Sequence, residues 1–325
     1  MTVRPIDLEI HRIVTDSDLD GVVTAAILRR WWSEAEVFFG HPGQLRAGVY
    51  DGLIDRYTAI CDLPGHPNCG LSIDHHQSNK SSFSDEGAVV IWKDYPSAAR
   101  IAFELFSEHI DLSDMKELIE WVDKLDSGRI TREEYLSDSP VLWLSRLIDE
   151  GEYVANSILK SLQRGISVED ILGQSNFNSL LKKTGIRIEA LRKKIEENLR
   201  VEDRLAIVRL ENLGLRSNGY QITAMAGERC DACIVIHGDI GASFDDKEKY
   251  PVSASFYTNS FLHTSGGIFD LTLMATLLDP DGGGHANACG CRIQPIGRHG
   301  VENRQVSEDD IQRNIDVWQK MWSKR

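Results

Sequence analysis

No stretch of the chain stays apolar for the roughly 20 residues that a helix needs to span a bilayer. The opening Met1-Thr-Val-Arg-Pro-Ile-Asp-Leu-Glu-Ile10 has no basic segment leading into a uniformly apolar one. A membrane span and a secretion signal are therefore not expected, and the chain reads as cytoplasmic. Positive charge is scarce as well, with 36 Lys and Arg against 50 Asp and Glu and a formal net charge of −14. That balance excludes a broadly basic surface gripping long duplex DNA through many phosphates. It leaves room for a short anionic substrate, because bound divalent ions reverse the field inside a pocket. Cysteine is limited to Cys61, Cys69, Cys230, Cys233, Cys289 and Cys291, which without a secretion signal read as reduced thiols. There is no internal repeat and no low-complexity tract. What remains is a globular composition, 42% apolar and 26% charged over 325 residues, enough for two domains with cores of their own.

Apolar runs alternate with helical spacing through the first part of the chain. His11-Arg-Ile-Val-Thr15, Tyr57-Thr-Ala-Ile-Cys61, Leu71-Ser-Ile73 and Val89-Val-Ile-Trp92 read as strands. Gly21 to about Trp32, Ser97 to Phe106 and a segment from about Ser113 read as helices, the last stopping near Gly128. Strands alternating with helices predict a mostly parallel sheet. Residues 131–201 look helical throughout. A second α/β pattern starts at Arg204-Leu-Ala-Ile-Val-Arg-Leu210 and runs through Ala232–Ile236, Val252–Tyr257, a helix at Leu271–Leu278 and Cys289–Ile293. An amphipathic helix from about Ser307 to Trp322 closes it.

Three of the first strands deliver an aspartate at their carboxyl ends, where ligands bind in parallel α/β sheets. The first is followed by Asp16-x-Asp18-x-Asp20-Gly21, the second by Asp62, and the third by Asp74-His75-His76. Three carboxylates spaced by two would repel one another without a cation. Hard carboxylate oxygens together with imidazole suit divalent ions and phosphate-ester hydrolysis. The same letters begin an EF-hand loop, but its twelfth position falls on Ile27 instead of a glutamate, and no helix precedes it. A plainer reading makes Asp20 the N-cap of a helix, although one aspartate would serve for that. His41, His66, His109 and His237 lack comparable context. Cys230-x-x-Cys233 with Cys289-x-Cys291 offers four thiolates for zinc, yet the first pair reads as a loop entering a buried strand.

Taken in order, Asp-x-Asp-x-Asp-Gly, a strand-terminal Asp, Asp-His-His and Asp123-Lys-Leu-Asp126-Ser-Gly128 resemble the motifs of the DHH phosphoesterase superfamily. Gly282-Gly-Gly-His285, followed by Ala286-Asn-Ala288, resembles the signature of the DHHA1 domain that follows it. The resemblance implies a metal-binding DHH domain over 1–155, a helical connector over 156–202 and a smaller α/β DHHA1 substrate-binding domain over 203–325. It implies two Mn²⁺ or Mg²⁺ ions held by Asp18, Asp20, Asp62, His75 and Asp126, with Asp62 as the bridge and Asp16 as a further ligand. Asp123 competes with Asp126 for the last position. His76 is the histidine expected to approach the phosphate, and Asp74 its supporting partner. Gly283, Gly284 and His285 are expected at the substrate. Arg292 is the candidate to replace a strand arginine that many relatives carry and that Val252-Ser-Ala-Ser-Phe-Tyr257 lacks.

The implied activity is metal-dependent hydrolysis of short single-stranded RNA or DNA oligonucleotides or other nucleotide phosphoesters, releasing mononucleotides in the manner of nanoRNases. The alternatives are a RecJ-like exonuclease, a 3′-phosphoadenosine phosphate phosphatase and a cyclic or linear dinucleotide phosphodiesterase. A catalytically silent nucleotide sensor on the same fold is a different class of answer. A homodimer is compatible with the sequence.

Overall fold

The computed structural model describes residues 4–80, 87–242 and 249–325. It divides into two compact units, Met1–Ile130 with Ser137–Thr184, and Thr131–Leu136 with Gly185–Arg325.

The first unit is built on five parallel strands, β1 (Arg12–Asp16), β2 (Glu36–Gly40), β3 (Thr58–Cys61), β4 (Leu71–Asp74) and β5 (Val89–Trp92), in the order β2-β1-β3-β4-β5. β3 and β4 are buried at every position, as strands covered on both faces must be. Helix α1 (Leu19–Trp31) is buried from Leu19 to Leu28, and its small Ala25 and Ala26 let neighbouring elements approach closely. The order reverses between β1 and β3, the switch point where parallel sheets open a crevice beyond their carboxyl ends. After the short α2 (Pro42–Arg46), α3 (Ala98–Phe106) and α4 (Lys116–Asp126) bury apolar faces on the same core. The remaining helices of the region are α5 (Arg132–Leu136), α6 (Pro140–Ile148), α7 (Glu152–Gln163), α8 (Val168–Leu172) and α9 (Ser175–Asn198). Ile158, Leu159, Leu162, Ile171 and Phe177 belong to the core of the first unit. Residues 156–184, read from the sequence as connector, are thus packed structure, and the division falls within α9.

The second unit has a six-stranded sheet, β6 (Arg200–Glu202), β7 (Leu205–Arg209), β8 (Ala232–His237), β9 (Ser253–Thr258), β10 (Gly283–His285) and β11 (Ala288–Arg292), in the order β10-β11-β9-β8-β7-β6. Only β7 and β8 pair in parallel. Strand alternation splits its apolar residues between two cores. Ile234, Ile236, Phe256, Cys289 and Cys291 face α11 (Thr272–Leu278) and α12 (Glu308–Trp322), whereas Val208, Cys233 and Val235 face α10 (Gly219–Ala226). Cys230 lies in the second core with Cys233, so the two cysteine pairs sit on opposite faces of the sheet and do not form one four-thiolate site. Helix α12 buries Ile311, Asn314, Ile315, Trp318 and Trp322 and is opened by a capping box between Ser307 and Asp310. No helix among the described residues is long and apolar enough to cross a membrane.

Candidate metal centre

The chain turns from β1 into α1 within two residues. Asp18, in extended conformation, caps the helix by accepting from the Gly21 N–H at 2.9 Å, so the cap is Asp18 and not Asp20. A Cβ on Gly21 would stand 2.2 Å from the Asp16 carbonyl oxygen, and only glycine allows so tight a passage. Asp20, in the first turn, is buried. Its Oδ2 accepts the Ala98 N–H and its Oδ1 the Ala99 N–H, both at 2.7 Å, so it caps α3 from a different element.

Asp62 follows β3 with φ at 57°, a left-handed conformation that aspartate tolerates better than most residues. Its amide donates to the Ile73 carbonyl at 2.9 Å, which fixes the backbone against β4. Its side chain is 2% exposed, and Oδ1 has no hydrogen-bond partner. Asp74 is fully engaged. Its Oδ1 accepts from the His75 and His76 amides at 2.8 and 3.0 Å and from His76 Nδ1 at 2.9 Å, while Oδ2 accepts from Asn79 Nδ2 at 2.8 Å. With its lone pairs taken, Asp74 orients the two histidines.

His75 Nδ1 lies 3.1 Å from the Tyr95 carbonyl oxygen, which can only accept, so Nδ1 carries the proton and Nε2 presents a lone pair. That lone pair faces carboxylates: Asp126 Oδ2 at 3.1 Å, Asp62 Oδ1 at 3.5 Å and Asp20 Oδ2 at 3.7 Å. Acceptors therefore confront acceptors, and Nε2 is a buried atom without a partner. A cation between them satisfies Asp62 Oδ1 and His75 Nε2 together, so the donor set fits a divalent ion. Asp20, His75 and Asp126 form one group with metal-ligand spacing, and Asp62, His75 and His76 another.

The electrostatics follow. Burial first, then the charges of neighbouring aspartates, raises the Asp20 and Asp62 carboxyls well above their ordinary range. Burial and Asp18 push Asp126 to about 7. His75 is lowered by burial and by the charge of His76, whereas the hydrogen bond to Asp74 raises His76. A bound cation inverts this pattern and favours the carboxylate forms.

Asp16 and Asp18 stand at the edge of the cluster and contribute to the field on Asp62. Asp123 is engaged elsewhere, accepting from Ser97 Oγ at 2.7 Å and from Arg100 Nε at 2.9 Å, which leaves Asp126 as the residue facing His75. Three participants were missed by sequence reasoning. Tyr95 acts through a carbonyl and carries no sequence signal, and Asn79 follows Asp74 by five positions as an ordinary polar residue. His41, whose Nδ1 is 3.4 Å from Asp16 Oδ1, follows a strand that went unread, although Glu36-Val-Phe-Phe-Gly40 carried an apolar run.

The sequence matches no protein-family model and no curated protein. Among solved structures, the pGpG-specific phosphodiesterase PggH from Vibrio cholerae aligns with a TM-score of 0.74 at 22% identity, over 96% of this chain and 99% of that one. The DHH domain of a member of the s1p family of ribosomal proteins aligns with a TM-score of 0.56 at 13% identity, over 97% and 87% of the two chains. The fold is that of DHH-domain proteins. RecJ from Thermus thermophilus, solved in complex with Mn²⁺, aligns with a TM-score of 0.52 at 14% identity, over 97% of this chain and 52% of that one.

Within the second unit of this DHH fold, Gly283, Gly284 and His285 form the edge strand β10, with Gly284 and His285 exposed. Gly284 has φ at 139°, and a Cβ there would meet the Ala288 carbonyl oxygen at 2.7 Å. Gly283 has open space where a Cβ would lie. Arg292 donates from Nε to buried Asp279 at 2.9 Å and from Nη2 to Asp281 at 2.6 Å, so the guanidinium expected to meet a phosphate stands beside two carboxylates.

Proposed function

We propose that the protein is a divalent-metal-dependent phosphodiesterase acting on very short oligonucleotides and releasing mononucleotides. The observation that carries this reading is the meeting of His75 Nε2 with the carboxylates of Asp20, Asp62 and Asp126, in which His75 Nε2 and Asp62 Oδ1 are buried without partners. Orphaned buried acceptors cost a folded chain stability, and a cation shared among them removes that cost. Preference for the short end of the substrate range is supported by the whole-length likeness to a phosphodiesterase of the linear dinucleotide pGpG. The chain's acidic balance supports it too.

Asp18, Asp20, Asp62, His75 and Asp126 would hold two ions, Mn²⁺ or Mg²⁺, with Asp16 beside them. Such ions supply positive charge to the phosphoryl oxygens and lower the pKa of an attacking water. The chain's own residues do the rest. Tyr95 and Asp74 fix the imidazoles, so no rotation has to be frozen when substrate arrives. His76 keeps a proton on Nδ1 for Asp74, and its raised proton affinity lets Nε2 carry a second proton to the phosphate or to the departing oxygen. Gly283, Gly284 and His285 would contact an anionic group, where the bare backbone of the glycines allows close approach.

Hydrolysis of labelled RNAs from two to about twenty-four nucleotides, with Mn²⁺ and with chelator, tests the reading across the lengths over which non-specific single-strand binders extend their sites. Chelator-sensitive release of mononucleotides, fastest on dinucleotides, is expected. Progressive degradation favouring the longest strands would replace it with a RecJ-like activity. Asp62→Ala and His75→Ala are expected to abolish turnover without unfolding the protein, and wild-type rates in either variant would end the assignment.

A further inference from the structure

A cavity of 450 Å³ in the first unit adjoins the carboxylate cluster and shares Asp16 and Asp18 with it. Its volume lies in the range that takes a nucleoside. Buried Phe39 and Ile148 give it an apolar floor, and Glu152, the first residue of α7, stands exposed among its lining residues. A second cavity of 440 Å³ shares Phe39 and Glu152 and is lined by Tyr50 and Tyr153. The two make one groove leading away from the cluster. Tyr153 is 89% exposed, an unusual position for a large ring with no covering partner.

The charge of the groove says what it takes. Asp16, Asp18, Asp149 and Glu152 line the first cavity, and no lysine or arginine does. Beyond Asp16 and Asp18, which face the ions, the groove offers a phosphate no lysine or arginine, so the phosphate belongs at the metal centre and a neutral group belongs in the groove. A carboxylate selects among nucleobases by their donors. Guanine presents N1–H and the N2 amino group side by side and can give a carboxylate two parallel hydrogen bonds. Adenine and cytosine set an amino group beside an acceptor, and uracil sets one N–H between two carbonyls. Among the described residues the Glu152 side chain makes no hydrogen bond or ion pair of its own. The ring of Tyr153 offers the flat face on which bases stack.

We propose that this groove holds the base of the nucleotide whose phosphate lies at the carboxylate cluster, that Glu152 selects guanine, and that Tyr153 stacks on it. The inference rests on the phosphodiesterase reading above and adds a base preference to it.

The experiment compares kcat and KM, with Mn²⁺ present, for 5′-phosphorylated dinucleotides of guanine, adenine, cytosine and uracil. It also measures binding of 5′-GMP and 5′-UMP by calorimetry. The wild-type protein is expected to favour the guanine dinucleotide over the uracil one by about ten-fold or more, the discrimination typical of a two-bond base contact. Most of that preference should sit in KM and be matched by tighter binding of GMP. Glu152→Gln should bring the ratio towards one, Glu152→Asp should retain part of it, and Tyr153→Ala should raise KM for all four. Equal kcat/KM for guanine and uracil substrates, or a ratio unchanged in Glu152→Gln, overturns the inference while leaving the phosphodiesterase reading intact. Absence of turnover with every dinucleotide overturns that reading, and this inference with it.

Discussion

Replacing Asp62 with asparagine should make the metal-free protein more stable while destroying its response to metal. Asp62 Oδ1 and His75 Nε2 are acceptors 3.5 Å apart, both buried and both unpartnered. Each costs about 1–3 kcal/mol for want of a hydrogen bond. The asparagine amide has the same shape, tolerates the left-handed backbone at this position as well as aspartate does, and can donate to Nε2. It also removes a carboxyl whose ionised form is disfavoured by burial and by Asp20, Asp18 and Asp126. The gain should be about 2–4 kcal/mol, or about 10 °C in the melting temperature of a unit of this size. Divalent ions should then separate the two proteins. At a hundred-fold excess over its Kd, an ion stabilises the wild type by about 2.7 kcal/mol, and it should leave Asp62→Asn nearly unmoved. The assay is thermal unfolding followed by circular dichroism in mildly alkaline buffer, with chelator and then with Mn²⁺. A variant equal to or less stable than wild type in chelator would refute the reasoning, because it would mean that the two acceptors are not in conflict.

The other expectations need the same instrument. Asp20→Ala removes two charge-assisted hydrogen bonds from the start of α3 and should cost about 3–5 kcal/mol even in chelator, the opposite sign to Asp62→Asn. Gly284→Ala should destabilise by about 2 kcal/mol or more, since its Cβ would collide with the Ala288 carbonyl at a positive φ, whereas Gly283→Ala should be near neutral by unfolding midpoint. Asp231, held by Arg204 at 2.6 and 2.7 Å and next by His263 at 3.0 Å, has its carboxyl lowered below the usual range. A depressed carboxylate stabilises fully above its unfolded value of about 3.9, and that contribution disappears as pH falls through the folded value. The Asp231→Asn protein should therefore be less stable at neutral pH and show a shallower acid limb, and parallel stability curves would contradict this.

How much the residues disclosed depended on whether their chemistry was local. Strands ending in Asp16, Asp62 and Asp74 were legible because an aspartate after an apolar run is a local pattern, and the parallel sheet followed from alternation. β2 went unread although Glu36-Val-Phe-Phe-Gly40 is as long as β1 and carries an apolar run, and with it went His41. The double duty of Asp20 could not be read, since its partners are amides some eighty positions away at Ala98 and Ala99. The pairing of Arg292 with Asp279 and Asp281 could not be read for the same reason. The cysteine pairs suggested a shared site only while the alternation of β8 and β11 was ignored.

Asp20 bears on how descendants of such a chain would be judged. A chain of this fold with no catalytic role would still need a carboxylate there, because α3 begins on it. Its survival in a distant sequence would testify to inherited architecture alone. Asp62 and His75 are held to no such obligation, since the atoms they bring to the cluster go unanswered by the protein. Their loss is the mutation that drift would reach first, so they are the positions where a silent cousin would reveal itself.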